Sequence, residues 1–332
     1  MRRMARRLLT ALGAGLGWLL WTLRVRRRVV MENLLLAFPE RTEAERRAVG
    51  RATFRNVGRM APAFFLASRL TPEELDRIFV YDPGALERLL GARALGKGVI
   101  VCTAHFGNFE NLAAIHNLRG IPNTMIARPL GAGWLGRFWR GGRARAGVEE
   151  LVVTRGQTLP AAIRAIRRGQ VLGYVIDQNV AAHRAIFPTF FGVPAATSPT
   201  PAYLALRTGA TVLFVLDVPL PDGRHRIVVE GPLGLPDTGD RDRDVLAFMQ
   251  DLNDRLERYV RQYPEHWSWL HRRWKTRPEQ GARRRRRRGG EAPGAPAPAG
   301  ESTPPGEGSP GAPPPGASPR PAPPIDRSSD AG

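Results

Sequence analysis

Cysteine is almost absent: Cys102 is the single one in 332 residues. An intrachain disulfide is therefore excluded, and cysteine usage gives no sign of an oxidising compartment. Cys102 sits in the apolar run Val99-Ile100-Val101-Cys102 and reads as core packing. A nucleophilic role would need an adjacent base, and His105, three residues on, leaves that reading open. Acids are scarce as well, with 30 Asp and Glu against 50 Lys and Arg, a formal net charge of +20. Residues 283–332 carry only eight Arg against five acids, so most of the excess belongs to residues 1–282. Such a balance asks for an anionic partner: nucleic acid, anionic lipid headgroups or an acidic carrier protein. Composition does not choose among them, and GC-rich coding accounts for part of the arginine.

Long uncharged stretches are also lacking. The segment that comes nearest to a membrane span is residues 8–23, LLTALGAGLGWLLWTL. As a helix it reaches about 24 Å, short of the roughly 30 Å bilayer core. Arg2, Arg3, Arg6 and Arg7 precede it and Arg24, Arg26, Arg27 and Arg28 follow. A signal peptide shares the basic front and apolar centre, but here arginines stand where a small-residue cleavage site would be. We read residues 1–28 as an uncleaved anchor, spanning with some thinning or lying at the interface. Arginine on both sides gives no orientation, and it suits the anionic headgroups of a cytoplasmic leaflet.

What is present is a chain with 42% hydrophobic residues, enough for one sizeable folded domain. Residues 29–80 read as helical, with Thr71-Pro72-Glu73-Glu74 as a strong helix start. From about Gly98 short apolar runs alternate with helices. Strands are expected at 99–102, 123–127, 171–176, 211–218 and 226–230. Helices are expected at 111–118, 159–168, 202–207 and 242–263. Strand–helix alternation predicts an α/β fold with a mostly parallel central sheet flanked by helices. Residues 283–332 are six Arg followed by a Pro/Gly/Ala/Ser tract with 13 of the 30 prolines, which has little to bury and is expected to be disordered. The expected division is thus an anchor at 1–28, a domain at 29–282 that is helical to about 95 and α/β after it, and a tail at 283–332.

Chemistry concentrates in His105-Phe106-Gly107-Asn108-Phe109-Glu110, between a predicted strand and a predicted helix, where α/β proteins carry functional groups. Acyl transfer to a hydroxyl needs a base near neutrality, a carboxylate to fix its tautomer, and donors for the oxyanion. His105 fits the first role and Glu110 the second. Amides around Gly107 and the Asn108 side chain fit the third. In one continuous helix the two side chains would stand about 140° apart, so they meet only if His105 lies in the turn before it. A His and a Glu at this spacing are a weak signal alone, and a structural hydrogen-bonded pair is the plain alternative.

The neighbouring motifs add to it. Thr103 to Glu110 resembles the His-x4-Asp/Glu motif of the lysophospholipid acyltransferase superfamily, and specifically its branch of late lipid A lauroyl and myristoyl transferases. Arg28 to Glu45 (RVVMENLLLAFPERTEAE) is similar to that branch's N-terminal segment. Arg128-Pro129-Leu130, Asp177-Gln178-Asn179, Phe190-Phe191-Gly192, Arg207-Thr208-Gly209-Ala210, and His266-Trp267-Ser268-Trp269 through Lys275-Thr276-Arg277-Pro278 follow in the family's order. The likeness covers roughly residues 8–280. Thr200-Pro201 departs from it, because the branch more often has Gly before the following helix, which puts the local acceptor pocket in doubt.

The resemblance implies a glycerolipid-acyltransferase-like fold. It implies His105 as general base, Glu110 as its partner and Asn108 as an assisting group. Arg128 would bind an anionic headgroup or phosphopantetheine phosphate, Asp177 would position Arg128 or the acceptor, and Gln178 would join the substrate-binding set. A structural Arg128–Asp177 ion pair is the alternative. It implies an acyl carrier protein thioester as donor, a lipid A precursor hydroxyl as acceptor, no cofactor, no metal and no covalent acyl-enzyme. It further implies a monomer at the bacterial inner membrane with its site facing the cytoplasm. A related acyl-CoA-dependent acyltransferase of phosphatidylinositol mannosides is the alternative within this chemistry. A non-catalytic basic protein binding membrane or RNA is the alternative outside it, although no nucleic-acid-binding motif is found. His116 reads as packing or surface, and His183 as a loop residue that could approach the site. The His266–Trp274 segment reads as aromatic and basic at a membrane interface.

Overall fold

The computed structural model describes residues 2–67, 69–127, 133–152 and 157–279. Arg128 and the 283–332 tail lie outside the described residues. Helices α1 (Arg2–Thr22), α2 (Arg27–Ala37) and α3 (Glu43–Ala67) open the chain. α1 packs along α3 through glycine: a Cβ on Gly17 would stand 2.0 Å from the Phe54 carbonyl oxygen, and one on Gly58 2.0 Å from that of Gly13. Only glycine lets two helix backbones approach this closely. The rest of α1 leaves an apolar face open, with Leu8, Leu12, Leu16 and Leu19 all exposed. Among the described residues no single helix is long and apolar enough to cross a membrane. Residues 7–22 and 27–37 reach that length together, but they are bent by 88°. α2 turns into the protein and buries Val29, Val30, Leu34 and Ala37.

The α/β part follows as α4 (Pro72–Ile78), β1 (Phe79–Tyr81), α5 (Ala85–Ala94), β2 (Val99–Thr103), α6 (Phe109–Leu118), β3 (Asn123–Ala127), α7 (Trp134–Arg145), β4 (Glu149–Val152), α8 (Thr158–Arg167), β5 (Val171–Val175), β6 (Thr189–Phe190), β7 (Val193–Pro194), α9 (Thr200–Thr208), β8 (Thr211–Pro219), β9 (His225–Leu233) and α10 (Arg241–Gln262). Thr71 caps α4 in a capping box with Glu74, as the sequence suggests. Seven strands form one sheet in the order β1-β9-β8-β2-β5-β3-β4. Every neighbouring pair is parallel except the hairpin β8–β9.

Two strands of this sheet, β1 and β4, are absent from the sequence expectation. Both are sheet edges paired on one side only, and β4 carries Glu149 and Glu150. β4 is interrupted by its two glutamates and β1 is only three residues long and half buried, whereas β2 is buried at all five positions. Alternation along β2 feeds two cores. Ile100 and Cys102 pack with Leu172, Phe214, and Phe248 and Leu252 of α10. Val99 and Val101 pack with Leu213, Val215, and Leu112 and Ile115 of α6.

The His266–Trp274 segment is not an interfacial belt. Trp267, Trp269 and Trp274 are 1%, 0% and 4% exposed and belong to the first core, with Phe38, Phe190 and Phe191. Their mutual edge contacts, 4.6 Å between the Trp267 and Trp269 centroids, explain why three tryptophans occur so close in sequence. Cys102 is fully buried and burial pushes its thiol upward, so it packs rather than reacts.

Candidate active site

Parallel strands β2 and β5 are neighbours in register, Thr103 beside Val175. Each chain leaves the sheet at the same end, and two residues further on stand His105 and Asp177. The Ile176 amide donates to the Thr103 carbonyl at 2.9 Å and holds the two exits together. His105 Nδ1 then lies 2.7 Å from Asp177 Oδ1, and the His105 amide donates to Asp177 Oδ2 at 2.9 Å. A third donor, the Trp267 indole N–H, reaches Oδ2 at 2.8 Å. Burial alone would raise the Asp177 carboxyl, yet the His105 charge and these three hydrogen bonds outweigh it and hold it down at about 2. An ionised Asp177 fixes the proton of His105 on Nδ1 and leaves a lone pair on Nε2. Gln178 Nε2 sits 3.0 Å from that nitrogen, so its N–H donates to it.

Residues 266–276 brace both loops. Gly107 N donates to the His266 carbonyl and Ser268 N to the His105 carbonyl, each at 2.9 Å. The Asn179 amide donates to His271 Nε2 at 2.7 Å, and the Asn179 side chain exchanges hydrogen bonds with Thr276. The turn at Gly107 has φ +57°, and a Cβ there would stand 1.9 Å from the Asp217 carbonyl oxygen, so glycine is required.

Glu110 opens α6 and is buried, but its carboxylate faces α7. Arg143 Nε donates to Glu110 Oε2 at 2.9 Å and Nη2 donates to Oε1, while Nη1 reaches Glu150 at 3.1 Å. The carboxylate on His105 Nδ1 is thus Asp177, not Glu110. The sequence expectation named the right type of partner on the wrong residue, because the matching carboxylate lies 72 positions away across a strand pair. Two expected oxyanion donors are also engaged elsewhere: Gly107 N on His266, and Asn108 Nδ2 on the Met60 carbonyl at 3.1 Å.

His105, Gln178, Glu110 and Arg143 are among the residues lining a cavity of about 350 Å³. The remainder is mostly apolar: Met60 of α3, Phe109, Met125 and Ile126 of β3, Trp139 of α7, and Val175, Ile176 and Val180. Tyr174 and Ser198 add two hydroxyls, joined by a 2.9 Å hydrogen bond.

A histidine with its Nδ1 held by a carboxylate thus opens onto a mostly apolar cavity. Residues 1–276 match the family model described as bacterial lipid A biosynthesis acyltransferase. The chain belongs to that family. It is 28% identical over 275 residues to the lipid A biosynthesis lauroyltransferase of Escherichia coli (strain K12), covering 81% of this chain and 85% of the relative. It is 26% identical over 261 residues to the palmitoleoyltransferase of the same organism, covering 77% and 81%. A lipid A biosynthesis acyltransferase of Haemophilus influenzae is 26% identical over 280 residues, covering 82% and 86%.

In this acyltransferase the structure brings His105, Gly107, Asn108, Glu110, Asp177 and Gln178 together around one cavity mouth and its supporting loops. Arg128 lies outside the described residues, as does any pairing of it with Asp177; Asp177 is bonded to His105. His183 stands in a short 3-10 turn, Ala182–Arg184, with its side chain exposed. His116 is buried on α6, where desolvation and then the Arg119 charge push it down to about 4. Sequence reasoning missed Arg143, Trp139 and the bracing role of Trp267. For Trp267 a signal existed, since the motif was recognised, but an apolar ring with an N–H reads equally as interface or core. Arg273, expected as part of the basic interfacial segment, is inside the protein instead. It is fully buried and donates to the Ala196 carbonyl at 2.8 Å and to Thr197 Oγ1 at 2.6 Å. Burial lowers it to about 10, opposed by the Asp177 charge.

Proposed function

We propose that the enzyme moves a fatty acyl chain from an acyl carrier protein thioester to a hydroxyl of a lipid A precursor, with His105 as general base. The observation that carries this is His105 itself: Nδ1 held by ionised Asp177, and Nε2 facing a cavity that is mostly apolar. The acyl chain occupies the cavity and brings the thioester carbon to its mouth. The acceptor hydroxyl donates to Nε2, its oxygen attacks the carbon, and the proton passes to the ring. Asp177 stabilises the imidazolium. Collapse of the intermediate breaks the C–S bond, and the imidazolium returns its proton to the departing sulfur. No acyl-enzyme is needed, in keeping with the burial of Cys102.

An acidic carrier protein and an anionic glycolipid both suit a chain of net charge +20. The exposed leucine face of α1, with Arg7, Arg24, Arg26, Arg27 and Arg28 at its ends, suits an inner-membrane surface on the cytoplasmic side. The relatives are named for different acyl groups, so kinship does not fix the acyl chain length.

The deciding experiment is His105→Ala, assayed with acyl carrier protein and CoA thioesters against lipid A precursor and phosphatidylinositol mannoside. Transfer from the carrier protein to the precursor is expected in the wild type and abolished in the variant, with vesicle binding unchanged. Full activity in His105→Ala would overturn the mechanism, and preference for CoA and the mannoside would overturn the substrates.

A further inference from the structure

We propose that Gln178 is the oxyanion donor of this reaction, parked on His105 Nε2 in the resting enzyme and released by the acceptor hydroxyl. The proposal rests on the acyl-transfer reading above. A base whose lone pair already accepts an N–H is not free to accept a substrate proton. The 3.0 Å contact from Gln178 Nε2 therefore has to open before His105 works. What displaces it is the hydroxyl, which donates to the same nitrogen.

Several other donors around the mouth have partners of their own. The Gly107 backbone amide is on the His266 carbonyl and the Asn108 side-chain Nδ2 on the Met60 carbonyl. Arg143 is held by Glu110 and Glu150. The Tyr174 hydroxyl donates to Ser198, whose oxygen lies 2.8 Å from Thr200 Oγ1. Gln178 differs from all of these: among the described residues lining the cavity, it is the donor whose partner is the base. Binding of the acceptor frees its N–H at the moment an oxyanion is about to form.

The geometry needs little movement. In the tetrahedral intermediate the attacking oxygen and the oxyanion share one carbon. A donor that starts at hydrogen-bond distance from Nε2 swings aside and meets the second oxygen, within the roughly 2.7–3.1 Å such donors use. Attack forms the C–O bond, places the carbonyl electron pair on oxygen and the proton on Nε2. Collapse re-forms the carbonyl, breaks C–S and returns the proton to sulfur. Gln178 gains and loses nothing covalent. The resting contact also keeps Nε2 covered until an acceptor arrives.

The test uses the full-length enzyme with Gln178→Leu and Gln178→Met, both of similar length and without the N–H. Each is expected to lower kcat by about 10²- to 10³-fold, with much smaller change in KM for the thioester. The second readout is NMR titration of the His105 imidazole. A donor on neutral Nε2 favours the neutral ring, so its loss is expected to move the His105 titration to higher pH. Unchanged or raised kcat in a folded variant would make Gln178 a mere cover and overturn the proposal. An unmoved titration would overturn the resting contact. A wild type that transfers no acyl group overturns the reaction and this proposal together, whereas an active wild type with indifferent variants overturns this proposal alone.

Discussion

Trp267 donates its indole N–H to Asp177 Oδ2 at 2.8 Å, while Oδ1 of the same carboxylate holds His105 Nδ1 at 2.7 Å. One buried ring thus stands behind His105 at one remove. Trp267→Phe keeps most of the apolar volume and deletes the donor. A hydrogen bond to a charged group is worth about 1.5–3 kcal/mol, so kcat is expected to fall about 10- to 100-fold. Loss of packing alone would not depend on Asp177. In an Asp177→Asn background the same change is therefore expected to have little further effect on kcat, and a double-mutant cycle reads this directly.

Asp177→Asn tests the pair itself. An amide cannot hold the proton on Nδ1 as a carboxylate does, and the comparable change in other His–Asp pairs costs about 10⁴-fold in kcat. Stability gives an independent reading. The folded Asp177 carboxyl lies at about 2, below its ordinary value of 3.8, so the unfolded chain binds the proton first as pH falls. Its contribution is fully present above about pH 4 and disappears as pH drops towards 2, roughly 2 kcal/mol in all. Acid unfolding followed by circular dichroism is expected to lose this component of its slope in Asp177→Asn.

The contrast between Asp177 and Glu110 shows what was legible beforehand. Apolar runs at 99–102, 171–176 and 211–218 announce central parallel strands because those strands are buried on both faces. His105, Asp177 and Gln178 stand just past two such runs, at the sheet end where α/β sites form. Which carboxylate meets His105 depends on β2 and β5 being neighbours, and the chain visits β3 and β4 between them. Spacing along the sequence therefore favours Glu110, whereas strand order favours Asp177. The tryptophan segment fails to read correctly for a related reason. Amphipathic rings satisfy an interface and a core equally well, and only the long-range bonds to residues 105, 107 and 177 distinguish them.

Buried His116 predicts a second acid effect away from the site. Its folded value of about 4 lies below the ordinary 6.5, so between those values the unfolded chain carries more protons. Stability is expected to fall as pH drops from 6.5 towards 4 and to level off below. Between pH 7 and pH 5 the loss from this residue amounts to about 2 kcal/mol. His116→Phe, beside Tyr81 at 5.9 Å between centroids, removes the titrating group and keeps a ring. The variant is expected to show a smaller drop in melting temperature over that interval, with activity at pH 7 retained. An equal drop in both proteins would mean that His116 is protonated inside the fold.

Glu110 and Arg143 predict a separation of stability from protonation. The pair joins α6 to α7 with both side chains almost fully buried, 5% and 7% exposed. Glu110→Gln leaves the Arg143 charge with Glu150 alone at the edge of the cavity. Removing one partner of a buried pair typically costs about 3–5 kcal/mol, because the other charge stays desolvated. Replacing both by apolar groups of similar size is often neutral. Glu110→Gln is therefore expected to unfold at clearly lower temperature, and Glu110→Leu with Arg143→Met to recover most of the loss. The acid limb of kcat/KM is the discriminating measurement. If Glu110 held His105, the limb would move in Glu110→Gln. With Asp177 on Nδ1 it is expected to stay at the wild-type pH, even where the cavity wall is altered and kcat falls.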